Sequence, residues 1–379
     1  MKNISLITGH ISFICLHMKK TLLNLLISVT LILLSCTNDV PSPIISPIIS
    51  LQTNSTINEQ LSFNKLDKSK IDSLLIKKSK THTILHSKTA HLAFPDFLKY
   101  KDYWYLTFRI SDAHVTKKSS NILIYKSRDL ENWQMEQVFS QEGYDLRDPK
   151  LFIHKDTLFM QFHSTSISPY GHFRNDFTVK YDFEKSNWLV PQVLNKNENS
   201  NSWFWRISSI NNKLYVGAYL EGNLRIFDSA NNIDYHNIYS FDLLDNQLTE
   251  STFRERDSKL YALIRVNFKN AILGICALND LNNWDFKELP WNNIGGPNFL
   301  IYQNYLLIGG RKNAKTALYK YNLNNDIFTL VGETQEIRYD SGYPGMYIED
   351  NLLYFIYYTN SPEGEFQINL SVINLDMVL

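Results

Sequence analysis

KDYWYLTFR, residues 101–109, decides the fold, because its pattern of a polar turn followed by an apolar and aromatic strand returns five times. The later copies are KDTLFMQFH (155–163), NNKLYVGAY (211–219), DSKLYALIR (257–265), QNYLLIGGR (303–311) and EDNLLYFIYY (349–358). Each is anchored by a large apolar residue near the start of its strand: Trp104, Leu158, Leu214, Leu260, Leu306 and Leu353. The anchors are 54, 56, 46, 46 and 47 residues apart. Strand hairpins returning at a spacing of about 50 residues predict an all-β, six-bladed β-propeller over residues 81–379. No long segment with helical periodicity interrupts residues 85–379, so almost no helix is expected. A large β-sandwich of similar hairpins is the alternative, and the regular spacing disfavours it.

Composition agrees with a large β domain. The chain has 379 residues, 44% of them apolar, enough to bury a sizeable core. Its 22 Tyr and 22 Phe favour strands over helices. Lys+Arg and Asp+Glu both number 38, which gives no reason to expect a nucleic-acid partner. The three cysteines, Cys15, Cys36 and Cys276, are too few and too scattered for a disulfide framework or a zinc site. No phosphate loop, metal-ligand spacing or Ser-His-Asp pattern stands out, so no cofactor or metal is expected.

The N-terminus carries an address. Met18-Lys19-Lys20 opens the run TLLNLLISVTLILLSC (21–36), which has the length of a signal-peptide core and is short for a membrane span. Its end, Leu33-Leu34-Ser35-Cys36, resembles the lipobox of bacterial lipoproteins. This implies cleavage before a lipidated Cys36, with Met18 as the start, and a lipid-anchored protein of the bacterial cell envelope. An ordinary secretion signal is the alternative. Residues 37–80, rich in Ser, Asn, Pro and Lys, read as a flexible tether. A monomer is expected.

Two segments, SRDLENW (127–133) and LNDLNNW (278–284), place an Asp four residues before a Trp after a strand. The Asp suits capping of the turn's N–H groups, and the Trp suits packing under the hairpin. They resemble degenerate Asp-boxes, the outer hairpins of sialidase-like propellers.

The fifth position after each anchor is Arg109, His163, Tyr219, Arg265, Arg311 and Tyr358. Equivalent offsets occupy equivalent heights in successive blades. If these strands are the inner ones, three arginines ring one end of the channel. Three such charges repel one another and are costly to desolvate without an anion, and guanidinium groups hold a carboxylate through paired, charge-assisted hydrogen bonds. A carboxylate-bearing ligand is the simplest explanation; a strand-end salt bridge is the alternative for any one of them.

With these residues in place, residues 85–379 resemble the sialidase (neuraminidase) superfamily. FRIS at Arg109 resembles the FRIP motif that carries that family's first arginine, and Arg265 in YALIRV and Arg311 in IGGRK resemble the second and third. Glu250 in LTESTFRE and Tyr343 in DSGYPGMY fall where the family places its glutamate and nucleophilic tyrosine. The segments FRISDAH, RDPKL, WFWRI, GGPNF and GYPGM are closest to bacterial exo-sialidase-like proteins. The resemblance implies a retaining exo-glycosidase. Arginines would hold the carboxylate beside the anomeric carbon, and neutral Tyr343 would attack with Glu250 drawing off its proton.

The family's acid/base aspartate has no counterpart here, because the expected place holds Ser119, Ser120 and Asn121. Asp112 and His114 are the candidates in that loop, and His114 is preferred because histidine titrates near neutrality. Arg147 and Asp148 suit a charged pair at the pocket or a surface ion pair. Trp203, Trp205 and Arg206 suit a sugar-stacking wall or the core, and His163 suits a ligand contact or a core histidine. Three functions follow for test: an exo-glycosidase on an acidic sugar, a non-catalytic glycan-binding surface lipoprotein, and a five-bladed glycosidase of the arabinan or fructan type. The last shares RDP with this chain but has no arginine trio.

Overall fold

The computed structural model describes residues 79–168, 173–196, 201–241, 247–334 and 340–379, together with the short strands Ser50–Leu51 and Ser62–Phe63. Cys36 and the apolar run before it lie outside the described residues. Six sheets follow one another along the chain, antiparallel except for the short parallel pairing of Asn195–Lys196 with Asp234 and Tyr235 in the third. Their inner strands are His91–Tyr100, Tyr144–His154, the broken pair Trp203–Phe204 and Ser208–Ile210, Leu248–Arg256, Gly295–Tyr302 and Gly342–Glu349. These pack side by side around one axis, which makes a six-bladed β-propeller. The only regular helix among the described residues is the 3₁₀ turn Leu375–Met377.

The ring is closed by chain ends. Ser79–Ser87 is the fourth strand of the last blade, pairing with Phe366–Asn374 in the register Phe366↔Ser87 to Ile373↔Ser79. The expected tether is not wholly apart from the sheets: Ser50–Leu51 extends the first blade beside Phe139 and Ser140, and Ser62–Phe63 pairs with Leu85 and His86.

The repeated strand is the second strand of each blade, not the inner one. Its ranges are Tyr103–Ser111, Thr157–Ser166, Lys213–Leu220, Lys259–Val266, Tyr305–Lys312 and Leu352–Asn360. The conditional reading of an inner ring is therefore corrected, and the reason is physical. A second strand has a neighbour on each edge and blades on both faces, so it becomes a nearly unbroken apolar run. All six anchors are buried in it. Four of the six inner strands are interrupted by Pro, two of these by Gly as well, and carry a weaker pattern.

The outer hairpins behave as read from sequence. Asp129 Oδ1 accepts from the Glu131 and Asn132 amides at 2.9 and 2.8 Å, and Trp133 packs on the first blade's core. Asp280 accepts from the Asn282 amide at 3.2 Å. A third such turn escaped the sequence reading because Asn and Tyr replace Asp and Trp. There Asn231 Oδ1 accepts from the Ile233 and Asp234 amides, both at 2.9 Å, above buried Tyr235.

Candidate active site

Each inner strand breaks register near its start. The shifts fall between Ala93 and Asp96, Arg147 and Lys150, Leu248 and Ser251, Gly295 and Asn298, and Gly342 and Gly345; the third blade has its gap in the same place. Four of these bulges read X-Pro: Phe94-Pro95, Asp148-Pro149, Gly296-Pro297 and Tyr343-Pro344. Proline cannot donate to the ladder, so it suits a bulge. The residue before each takes a left-handed φ, at +58°, +51°, +61° and +51°. For the three that are not glycine this costs about 1–2 kcal/mol each, strain of the kind that collects at functional sites. The second-strand position five faces the residue just ahead of the bulge: Ala93↔Arg109, Arg147↔His163, Trp203↔Tyr219, Gly295↔Arg311 and Gly342↔Tyr358. The equivalence assumed from spacing therefore holds in five blades, at one remove from the axis; in the fourth the register is one residue off, with Leu248 facing Val266 and Arg265 opposite the bulge.

The bulges bring opposite blades together. Tyr343 meets Phe94 and Trp205 edge-on, with ring centroids 5.0 and 5.7 Å apart. Its hydroxyl donates to Glu250 Oε1 at 2.9 Å, and Arg265 Nη1 donates to the same oxygen at 2.9 Å. The other oxygen, Oε2, accepts from the Gly296 amide at 2.7 Å. The Arg311 guanidinium lies 5.0 Å over the Tyr343 ring. Burial, and then the Glu250 carboxylate, push the Tyr343 phenol above its ordinary value, against the pull of Arg311 and Arg265. The tyrosine is therefore neutral at rest and shares its proton with a carboxylate already in place.

A cavity of about 550 Å³ opens beside this group, lined by His91, Asp112, His114, Arg311, Asn313 and Asp340 among others. Asp340 is its hub. Its Oδ1 accepts from Arg311 at 2.7 Å, and its Oδ2 from Tyr358 at 2.7 Å and from His114 Nδ1. Burial alone would raise this carboxyl, but the hydrogen bond from His114, the nearby His91 imidazole and the Arg311 charge outweigh it and hold it well below the usual carboxylate range. Asp112 is held low by the Thr116 hydroxyl and Lys118, so it is an ionised group and a poor proton donor at neutral pH.

The sequence-derived set thus divides. Tyr343, Glu250, Arg265 and Arg311 converge; His114 and Asp112 line the adjoining cavity. Arg109 does not present itself to a ligand. It is 0% exposed, its Nε and Nη2 lie 2.9 and 2.7 Å from Asp145, and its Nη1 donates to the Ala113 and His114 carbonyls. Arg147, part-exposed, donates to the His114 carbonyl at 3.0 Å and lies 5.1 Å over the Phe94 ring. Asp148 is buried, and burial raises its carboxyl despite Arg147 and Lys150. Three residues fall away from the ligand side. Arg206 is buried with its Nη1 3.0 Å from both Asp96 oxygens. Trp205 is buried under Tyr343 and forms no sugar-stacking wall. His163 is a core histidine, bonded to Asp176 at 2.8 Å and stacked on Trp203.

Asp340, His91, Phe94 and the Gly296 amide were missed. The one available signal for two of them was the X-Pro repeated near the start of four inner strands. Nothing local marks Asp340 or His91, which are 249 residues apart.

No family model matches the chain, and no curated protein matches it. Solved structures do. Trypanosoma rangeli sialidase in complex with the inhibitor DANA superposes with a TM-score of 0.59 at 11% identity, covering 75% of this chain and 55% of that one. The same enzyme in complex with sialic acid gives 0.60 at 12%, covering 83% and 60%. The endosialidase of phage phi92 gives 0.60 at 12%, covering 79% and 69%. This chain thus spans little more than half the length of the first sialidases it matches. What the likeness shows is the architecture: the protein has the six-bladed β-propeller fold of the sialidases.

Proposed function

We propose that this protein is an exo-acting glycoside hydrolase that removes a terminal acidic sugar, sialic acid or a similar one, with retention of configuration. The observation that carries the reading is the Tyr343–Glu250 hydrogen bond at 2.9 Å, flanked by Arg265 and Arg311. A carboxylate held beside the anomeric carbon would repel an anionic nucleophile, and a neutral phenol with a base already bonded to it avoids that repulsion. Arg265 and Arg311 supply the positive charge for the sugar's carboxylate, with part-exposed Arg147 over Phe94 as a further candidate.

In the first step the Tyr343 oxygen bonds to the anomeric carbon while its proton passes to Glu250. Protonated His114 gives its proton to the departing glycosidic oxygen. In the second, His114 takes a proton from water as that water attacks the anomeric carbon, and Tyr343 leaves with the proton returned by Glu250. Asp340 fixes the His114 tautomer by accepting from Nδ1. The apolar run ending at Cys36 supports a lipid-anchored envelope location, where glycans would be met.

The competing reading is a glycan-binding module, favoured by the absence of an aspartate at 119–121. The decisive experiment incubates residues 37–379 with a fluorogenic sialoside. Release of the fluorophore is expected, lost in Tyr343→Phe while affinity for the free sugar stays. Binding of acidic sugars without turnover of any of them overturns the enzyme reading.

A further inference from the structure

His91 opens the first inner strand, His114 lies in the loop after the second strand, and Asp340 leads into the last inner strand. One donor atom from each lies within 4.8 Å of the other two. His91 is 3% exposed, and neither of its ring nitrogens has a hydrogen-bond partner among the described residues. Its Nε2 instead points to Asp340 Oδ2 at 3.6 Å, beyond hydrogen-bonding reach. Buried imidazoles ordinarily satisfy at least one nitrogen. One that leaves both unpaired and aims at a carboxylate and a second imidazole is placed for a ligand between them.

We propose that His91, His114 and Asp340 bind a divalent transition ion, Zn²⁺, with an open coordination position facing the sugar cavity. Two imidazoles and a carboxylate form a donor set that suits zinc better than magnesium or calcium. Three protein ligands beside a cavity leave a fourth place for water or a substrate oxygen. Tyr358 and Arg311 orient the carboxylate from behind, as outer hydrogen-bond partners of metal ligands do. The Arg311 charge opposes the ion and holds the affinity below that of an all-neutral pocket. Zinc on His114 Nδ1 displaces the hydrogen bond to Asp340 and takes the residue assigned to proton transfer, so zinc inhibits turnover. This consequence rests on the catalytic reading above; the site does not.

The test is calorimetric titration of the chelator-treated full chain with zinc chloride in a non-chelating buffer, beside its thermal melting curve. One equivalent is expected to bind at micromolar or lower concentration and to raise the melting temperature. His91→Gln and Asp340→Asn should each weaken binding at least about tenfold. The metal-free melting temperature of each variant checks that it folds. Zinc bound at a His91-dependent site supports the proposal whether or not a sialoside is cleaved. Absence of heat up to millimolar zinc overturns it, as does binding that both folded variants retain in full, even if turnover is intact.

Discussion

Gly296 lies against Tyr343 so closely that a β-carbon on the glycine would sit 2.4 Å from Tyr343 Cγ and 2.6 Å from its Cα. The same glycine has φ +61° and donates its amide to Glu250 at 2.7 Å. One residue therefore sets the distance between the tyrosine and the carboxylate it bonds to. Gly296→Ala is expected to lower kcat on a fluorogenic sialoside by at least about tenfold and stability by about 1–2 kcal/mol. Steady-state kinetics and urea unfolding check it; an unchanged kcat would show that Gly296 does not position the tyrosine.

Glu250→Gln keeps the size of the side chain and removes its charge. Arg265 and the Gly296 amide bond to different oxygens, so only one of them keeps an acceptor while the other meets the new NH2 group, and the Tyr343 proton has no carboxylate to enter. A fall in kcat of about 10²–10⁴-fold with little change in KM is expected. A variant that loses KM and spares kcat would assign Glu250 to ground-state binding.

Arg311 lines the cavity with its Nη1 on Asp340 and its plane over Tyr343. Arg311→Ala should weaken binding of an acidic sugar by about 2–5 kcal/mol and leave a neutral sugar of the same ring unaffected. Equal effects on both, measured by calorimetry, would sink the carboxylate assignment.

Arg109 acts on the fold. Its fully buried guanidinium joins Asp145 to the loop carbonyls of Ala113 and His114. Arg109→Met leaves Asp145 buried without its main partner and should cost about 3–5 kcal/mol in urea unfolding. A loss confined to ligand affinity would return Arg109 to the binding set.

Lys150 is buried, its Nζ has no hydrogen-bond partner among the described residues, and burial pushes its ammonium down to about 8. A base whose folded value lies below the unfolded value of about 10.4 destabilises the fold while charged. The penalty is complete below pH about 8 and fades as the pH rises to about 10, where the unfolded chain also loses its proton. Lys150→Met should therefore be more stable than the parent at pH 7, by up to about 3 kcal/mol, with the gain shrinking above pH 8. Denaturant midpoints compared at pH 7 and pH 9.5 read this; a gain independent of pH would attribute it to packing alone.

Much was legible because a propeller repeats itself. A second strand buried on both faces must be apolar whatever the blade does, so six copies of one pattern disclosed the blade number and, in five of the blades, the equivalence of position five. Tyr343 and Glu250 were legible by resemblance, each in a short segment that keeps its neighbours. What the linear chain could not disclose was which charges already have partners. Arg109 and Arg311 occupy the same offset, yet one is sealed by Asp145, 36 residues away, and the other meets Asp340 at the edge of an open cavity. Likewise His91, His114 and Asp340 become neighbours only because the ring closes, setting the last blade against the first. Sequence periodicity determined the blades, since burial of a repeated strand is a local demand. The tertiary structure alone decided the site, since pairing and desolvation depend on residues that closure brings together.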